Sequence, residues 1–279
     1  MSKKYDNYIQ WIKERKQDAH GFIDTEYCDS LLWTSLVCCA PELTADIDAA
    51  FDGSHWHRRP GKPCYPDHSK STISRDMFTG LLYYVWQNDR KDIATQVVWH
   101  AIKHFGIMGK AADFKTLWGR CQIGPGLLST FALLSGKWYF WPLTLIPGDV
   151  KIPGALPVDY GAHIQVLHVL LRCLIKGTDP RQNSIIQAQQ RRQPHNPLFN
   201  LAAGNEAAAL KIMESEQYWP THRLPTSQDR WTGWLQQRDF GKDWQPGRKG
   251  PEHHGGDYVF LKWLHSKLYT ITQLSAEGK

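Results

Sequence analysis

A chain of 279 residues, 42% hydrophobic and 22% charged, is long enough to bury a large core and is expected to form one domain over residues 1–279. Its net charge of +6 comes from lysines and arginines spread along the chain, whereas nucleic-acid binders gather them on one element, so no nucleic-acid partner is expected. Six cysteines without CxxC spacing suggest reduced, buried thiols. The polar N-terminus lacks a signal-peptide apolar region and no run of ~20 apolar residues is uninterrupted, so the expectation is a cytoplasmic protein with no membrane partner.

Helical periodicity dominates the chain. Tyr8, Ile9, Trp11 and Ile12 mark a first amphipathic helix, and TEYCDSLLWTSLVCCA (25–40) a second, mostly buried one. STISRDMFTGLLYYVWQND (71–89) predicts a third, and KDIATQVVWHAIKHFG (91–106) a fourth that stops at Gly106. Weaker helical patterns cover 111–121 and 125–135. KWYFWPLTLI (137–146) alone has strand composition, although Pro142 argues against a central strand. A long helix follows over 159–177 with a glycine stop at Gly177. DPRQNSIIQAQQRRQ (179–193) predicts a helix with proline in its first turn, 197–216 one or two more, and 255–274 the last. The fold class is all-α.

Four of these helices begin with a polar cluster and then turn apolar. The clusters are Ser74-Arg75-Asp76, Asp159-Tyr160-Gly161-Ala162-His163, His195-Asn196-Pro197 and His253-His254-Gly255-Gly256-Asp257-Tyr258. Helices apolar nearly all round are buried on every side, so their polar starts gather at one end of a bundle, where free N–H groups favour anions and hydroxyl-rich ligands. Asp159, Asn196 and Asp257 also fit ordinary N-caps, but capping leaves the accompanying His, Arg and Tyr side chains unexplained. The loop HWHRRPGKPCYPDHSK (55–70) precedes one of these helices, and polar loops of that length are usually functional. Pro60, Pro63 and Pro66 stiffen it, and His55, His57, Arg58, Asp67 and His68 are expected to face a cleft. Several of the thirteen tryptophans adjoin polar residues, as in His55-Trp56-His57, which suits wet interfaces or stacking on sugars as well as closing helix ends.

SxxSRDMFTGLL (71–82) is similar to the Ser-Arg-Asp segments that open inner helices in toroid glycosidases and sugar phosphorylases. HHGGDYVFLKWL (253–264) resembles a His/Gly/Asp turn entering a final inner helix. The resemblance, to the α/α-toroid superfamily of six-hairpin glycosidases and polysaccharide lyases, implies antiparallel helical hairpins in an incomplete α/α toroid. It also implies a carbohydrate partner, with anionic glycans suited to the mild positive charge.

Glycoside hydrolysis needs two carboxylates; Asp76, Asp159 and Asp257 stand at helix entries with Asp67 in the loop as a fourth, and Asp76 and Asp257 are the expected catalytic pair with His254 beside them. Their substrate contacts would come from Arg75, Asp159, Asn196, His253, Tyr258 and the loop residues. The alternative, β-elimination on a uronic-acid glycan, would use Tyr160 and His163 to move the proton and Arg75 to hold the carboxylate. A non-enzymatic helical binding or scaffold protein is a third reading, in which the clusters are caps. The histidine pairs could ligate zinc, yet no HExxH or CxxC spacing supports it, so neither metal nor cofactor is expected.

Overall fold

The computed structural model describes residues 3–15, 17–25, 29–61, 72–110, 120–146, 159–225 and 255–276; the side chains of residues 15, 159, 160 and 269–276 lie outside that description. Among the described residues the protein is mostly helical, with eleven α-helices and a single two-stranded hairpin. No helix among them is long and apolar enough to cross a membrane.

Helix α1 (Lys3–Arg15) is amphipathic and buries Tyr8, Ile9 and Ile12. Helix α2 (Ser30–Val37) is apolar nearly all round, and all eight of its residues are buried. Its start corrects the sequence reading of a helix from 25: Asp29 is the N-cap, and the helical run begins one residue later. Helix α3 (Arg75–Gln87) buries nine of its residues and packs along α2. The two come unusually close at Gly80, where a Cβ would lie 2.6 Å from the Leu32 carbonyl oxygen. A turn through Asn88 and Asp89 leads into α4 (Lys91–Lys103), which returns against α3 as a helical hairpin.

The segment after α4 departs from the helical expectation over 111–121 in its described part. Strands β1 (Ile107–Lys110) and β2 (Arg120–Gln122) pair antiparallel, with a bulge between Ile107 and Gly109. Helix α5 (Pro125–Ser135) follows as expected and ends on left-handed Gly136. Residues 137–146 have strand composition but form no strand, in keeping with the argument from Pro142. Trp138–Phe140 is a 3-10 turn and α6 (Trp141–Thr144) a single helical turn, with Pro142 in the first turn, where a missing N–H costs nothing.

Helix α7 (Asp159–Lys176) runs to left-handed Gly177. The helix expected from Asp179 divides in two. Pro180–Gln182 is a 3-10 turn, and α8 (Ser184–Arg192) starts after Asn183, whose side chain accepts from the Ile185 and Ile186 N–H groups. Helices α9 (Pro197–Ala203) and α10 (Glu206–Glu214) follow, and α11 (Gly256–Ala276) closes the chain. Helix α11 packs on α1, α2 and α9, so the last element completes the core around the first. Tyr8 stacks on Tyr258 with ring centroids 4.6 Å apart, and Trp219 lies against both.

Candidate functional site

The starts of α2 and α3 meet. Asp29 at the head of α2 and Asp76 in the first turn of α3 are both buried, and their carboxyl groups hydrogen-bond one another. Asp29 makes no side-chain capping bond to its own helix, so capping does not explain it. Arg58 reaches in from the loop, with its guanidinium Nη1 3.5 Å from Asp29 Oδ1 and its side chain largely covered. The Ser74 hydroxyl donates to Asp76, and the Asp29 N–H donates to Thr25 Oγ1 at 2.7 Å.

Burial pushes the Asp29 carboxyl well above the usual carboxylate range; the neighbouring Asp76 adds to the shift and Arg58 opposes it. Burial and a second carboxyl nearby both disfavour the ionised form, so Asp29 holds its proton to higher pH. The arrangement can store and deliver one proton.

Backbone hydrogen bonds tie the loop to this point. The Leu31 N–H, an orphan donor in the first turn of α2, donates to the Arg58 carbonyl at 2.8 Å. The Arg58 N–H donates to the Thr72 carbonyl at 2.9 Å, and the Thr72 N–H to the Lys110 carbonyl at 3.0 Å. Both ends of the 58–72 segment are therefore anchored beside Asp29 and Asp76. Gly109 on β1 permits this fit, because a Cβ there would lie 2.4 Å from Thr72 Oγ1.

The other expected residues divide. Asp257 is buried at the start of α11 and its Oδ1 accepts from the Tyr258 N–H at 3.1 Å. Helix α11 packs on α2, and Phe260 and Trp263 meet Tyr83, with Trp263 also against Trp86. These ring contacts bring the first half of α11 against the second half of α3. Arg75 is exposed beside Asp76.

His163 and Asn196 form a separate buried pair. Asn196 caps α9 through the Phe199 N–H and gives its amide N–H to His163 Nε2 at 3.1 Å. Burial pushes the His163 imidazole down to about 3, opposed by its hydrogen bond to Gln193. Tyr258 belongs to the aromatic core. On the loop, His57 pairs with Asp52 at 2.7 Å, and His55 turns its ring to His100 of α4. Asp67, His68, His253 and His254, and the side chains of Asp159 and Tyr160, lie outside the described residues.

No group of three or more histidine, cysteine, aspartate or glutamate side chains among the described residues is arranged to hold a metal ion. A broad groove of about 750 Å³ lies elsewhere, lined by Gln190, Asn200, Asn205 and Glu206, but Glu206 is exposed and already paired with His265 at 2.7 Å. Asp29 is the residue that sequence reasoning missed. The signal was an aspartate-serine pair directly before the apolar run LLW, an N-cap pattern hidden by extending the helix back to residue 25. Compared with family models, with curated proteins and with solved structures, the chain matches none.

Proposed function

We propose that the protein is a carbohydrate-active enzyme that hydrolyses a glycosidic bond at the joined starts of α2 and α3. The observation that carries this is the buried, hydrogen-bonded Asp29–Asp76 pair with Arg58 beside it. A buried carboxyl that holds its proton to higher pH, as Asp29 does, is a ready general acid. In contact, the two are too close to flank a sugar, because the acid and the base or nucleophile of a glycosidase stand ~5–9.5 Å apart. They therefore act as one unit. The Asp29 proton passes to the glycosidic oxygen as its bond to the anomeric carbon breaks. Asp257, at the start of the neighbouring α11, takes a proton from the water whose oxygen bonds that carbon.

The helix contacts support an incomplete α/α toroid around this centre. Helix α2 packs on α3, α3 on α5 and α7, α9 on α11, and α11 on α2, while the Asn196–His163 bond joins α7 to the start of α9. Helices α4, α6, α8 and α10 alternate with this set along the chain. Between α2 and α3 the only helical element among the described residues is the 3-10 turn Ile47–Ala50. The elimination reading has less support, since His163, its expected proton carrier, is sealed in the core.

Asp76→Asn and Asp29→Asn test the proposal on a panel of neutral and uronic oligosaccharides, with folding checked by circular dichroism. Each should lose turnover by ~10²–10⁴-fold while staying folded. Wild-type turnover in both variants on a glycan that the protein cleaves would reject the pair as catalytic. A wild-type chain that leaves every oligosaccharide intact would reject the activity.

A further inference from the structure

One flank of the protein exposes a run of large aromatic side chains. Trp138 is 85% and Phe105 90% exposed, and Trp99, Tyr139 and Trp141 are each about half exposed or more. Four of them are contiguous: Trp99 meets Tyr139 at 5.9 Å between ring centroids, Tyr139 meets Trp138 at 5.8 Å, and Trp141 follows directly on α6. Phe105, just past the end of the same helix α4 that carries Trp99, is a further exposed ring. At ~150–250 Å² per aromatic side chain, Trp99, Trp138, Tyr139 and Trp141 together expose roughly 350–600 Å². That matches the ~300–600 Å² of the largest apolar patch on a typical monomer.

Phe105 also holds a left-handed backbone, with φ +53° followed by Gly106 at +80°. Bulky residues rarely adopt that conformation, and here it turns a phenylalanine ring into water. Lys103 and His104, directly before Phe105, and Lys137, directly before Trp138, are exposed as well. The described chain from Ile93 to Lys110 and from Arg120 to Ile146 contains no aspartate or glutamate. Asp52, on the loop whose His55 touches His100, is held by His57 and by the Ser54 and His55 N–H groups.

This combination selects among occupants. A second copy docked face to face would bring the same cations together, with no carboxylate among the described residues of these two segments to meet them. A neutral sugar would stack on the rings but leave the lysine charges without a counter-charge. An anionic lipid surface provides both an apolar boundary for Trp, Tyr and Phe rings and negative charge for the lysines. We propose that this flank docks the protein on an anionic bilayer, lying on the membrane without crossing it. The expectation of no membrane partner rests on the lack of a spanning segment, and these residues form none. The proposal stands whether or not the Asp29–Asp76 pair is catalytic.

Sedimentation with vesicles of phosphatidylcholine, with and without phosphatidylglycerol, tests it on the full chain. The protein should pellet with the anionic vesicles and be released by high salt. Phe105→Gly is the sharpest variant, because glycine relaxes in the left-handed conformation and folding should be kept or improved. Together with Trp138→Ser it should weaken partitioning by roughly tenfold or more. Lys103→Glu and Lys137→Glu should each weaken it about fivefold or more. A protein that stays in the supernatant with anionic vesicles overturns the proposal, as do variants that bind like the wild type. If a concentration-dependent dimer lost in Phe105→Gly is seen instead, the face belongs to a second copy.

Discussion

Replacing Gly80 with alanine probes the contact on which the candidate site depends. The added Cβ would lie 2.6 Å from the Leu32 oxygen, 2.7 Å from its Cα and 3.0 Å from its carbonyl carbon, where ordinary contact begins near 3.4 Å. All three atoms are backbone of a neighbouring buried helix, so no side chain can rotate away. At an open helical site the change would stabilise by ~1 kcal/mol through helix propensity. Here overpacking costs ~1–3 kcal/mol, and an unyielding backbone puts it near the upper end. Separating α2 from α3 also loosens Leu31, Leu36, Phe78 and Leu81, all fully buried.

The expected net effect is a loss of about 2 kcal/mol, measured by urea denaturation, with a drop in Tm of ~4–8 °C for a chain of this size. Gly124→Ala is the control. Its φ is −67° and nothing lies within 4 Å of its Cβ position. It should stay within ~0.5 kcal/mol of the wild type. Because Asp29 and Asp76 head the two helices, Gly80→Ala should also depress any activity of the pair beyond its effect on stability. A Gly80→Ala protein more stable by ~1 kcal/mol would refute the close approach of α2 and α3.

Two further outcomes follow from burial. His163 titrates near 6.5 when unfolded and at about 3 when folded, so the unfolded state takes up a proton first as pH falls. The stability it contributes is present above pH ~6.5 and declines toward pH ~3, by at most ~1.4 kcal/mol per pH unit; His163→Gln should flatten that acid limb in urea midpoints taken at several pH values, and parallel curves would count against a buried neutral imidazole. Burial pushes the Cys38 thiol up to about 11 and Cys39 beyond the usual thiol range, and Cys173 is buried, so all three should react slowly with Ellman's reagent until the protein is unfolded. Labelling of Cys38 or Cys39 in the native protein at the unfolded rate would contradict this.

Long apolar periodicity made most helices legible. The runs at 75–87, 91–103 and 159–176 are amphipathic or apolar over three turns or more, and no competing pattern overlaps them. Trp138 to Ile146 is rich in aromatic and branched residues, as strands are, but Pro142 argues against a strand, and a turn and a single helical turn follow the Gly136 stop. The miss fell where a short element carries no period. Arg120–Gln122 reads as part of a helix until its partner Ile107–Lys110 is known, because a three-residue strand has no period of its own.

The candidate site was half legible for a related reason. Asp76 opens a long apolar helix and announces itself, whereas Asp29 looks like one polar position inside a continuous helical stretch. What makes Asp29 matter is its meeting with a residue 47 positions away, and that meeting depends on Gly80, which in sequence looks like a defect in a good helix. A glycine in the middle of a helix weakens it by ~1 kcal/mol relative to alanine. The compensation is an approach close enough for two buried carboxyl groups to share a hydrogen bond and for a loop arginine to reach them. Pro60, Pro63 and Pro66 suggested a stiff loop, but the ladder from Leu31 through Arg58 and Thr72 to Lys110 is what fixes its ends, and those bonds are made by backbone atoms that every sequence shares. The chemistry-bearing side chains can therefore be read from the sequence one at a time, while their grouping is set by a missing Cβ and by main-chain hydrogen bonds.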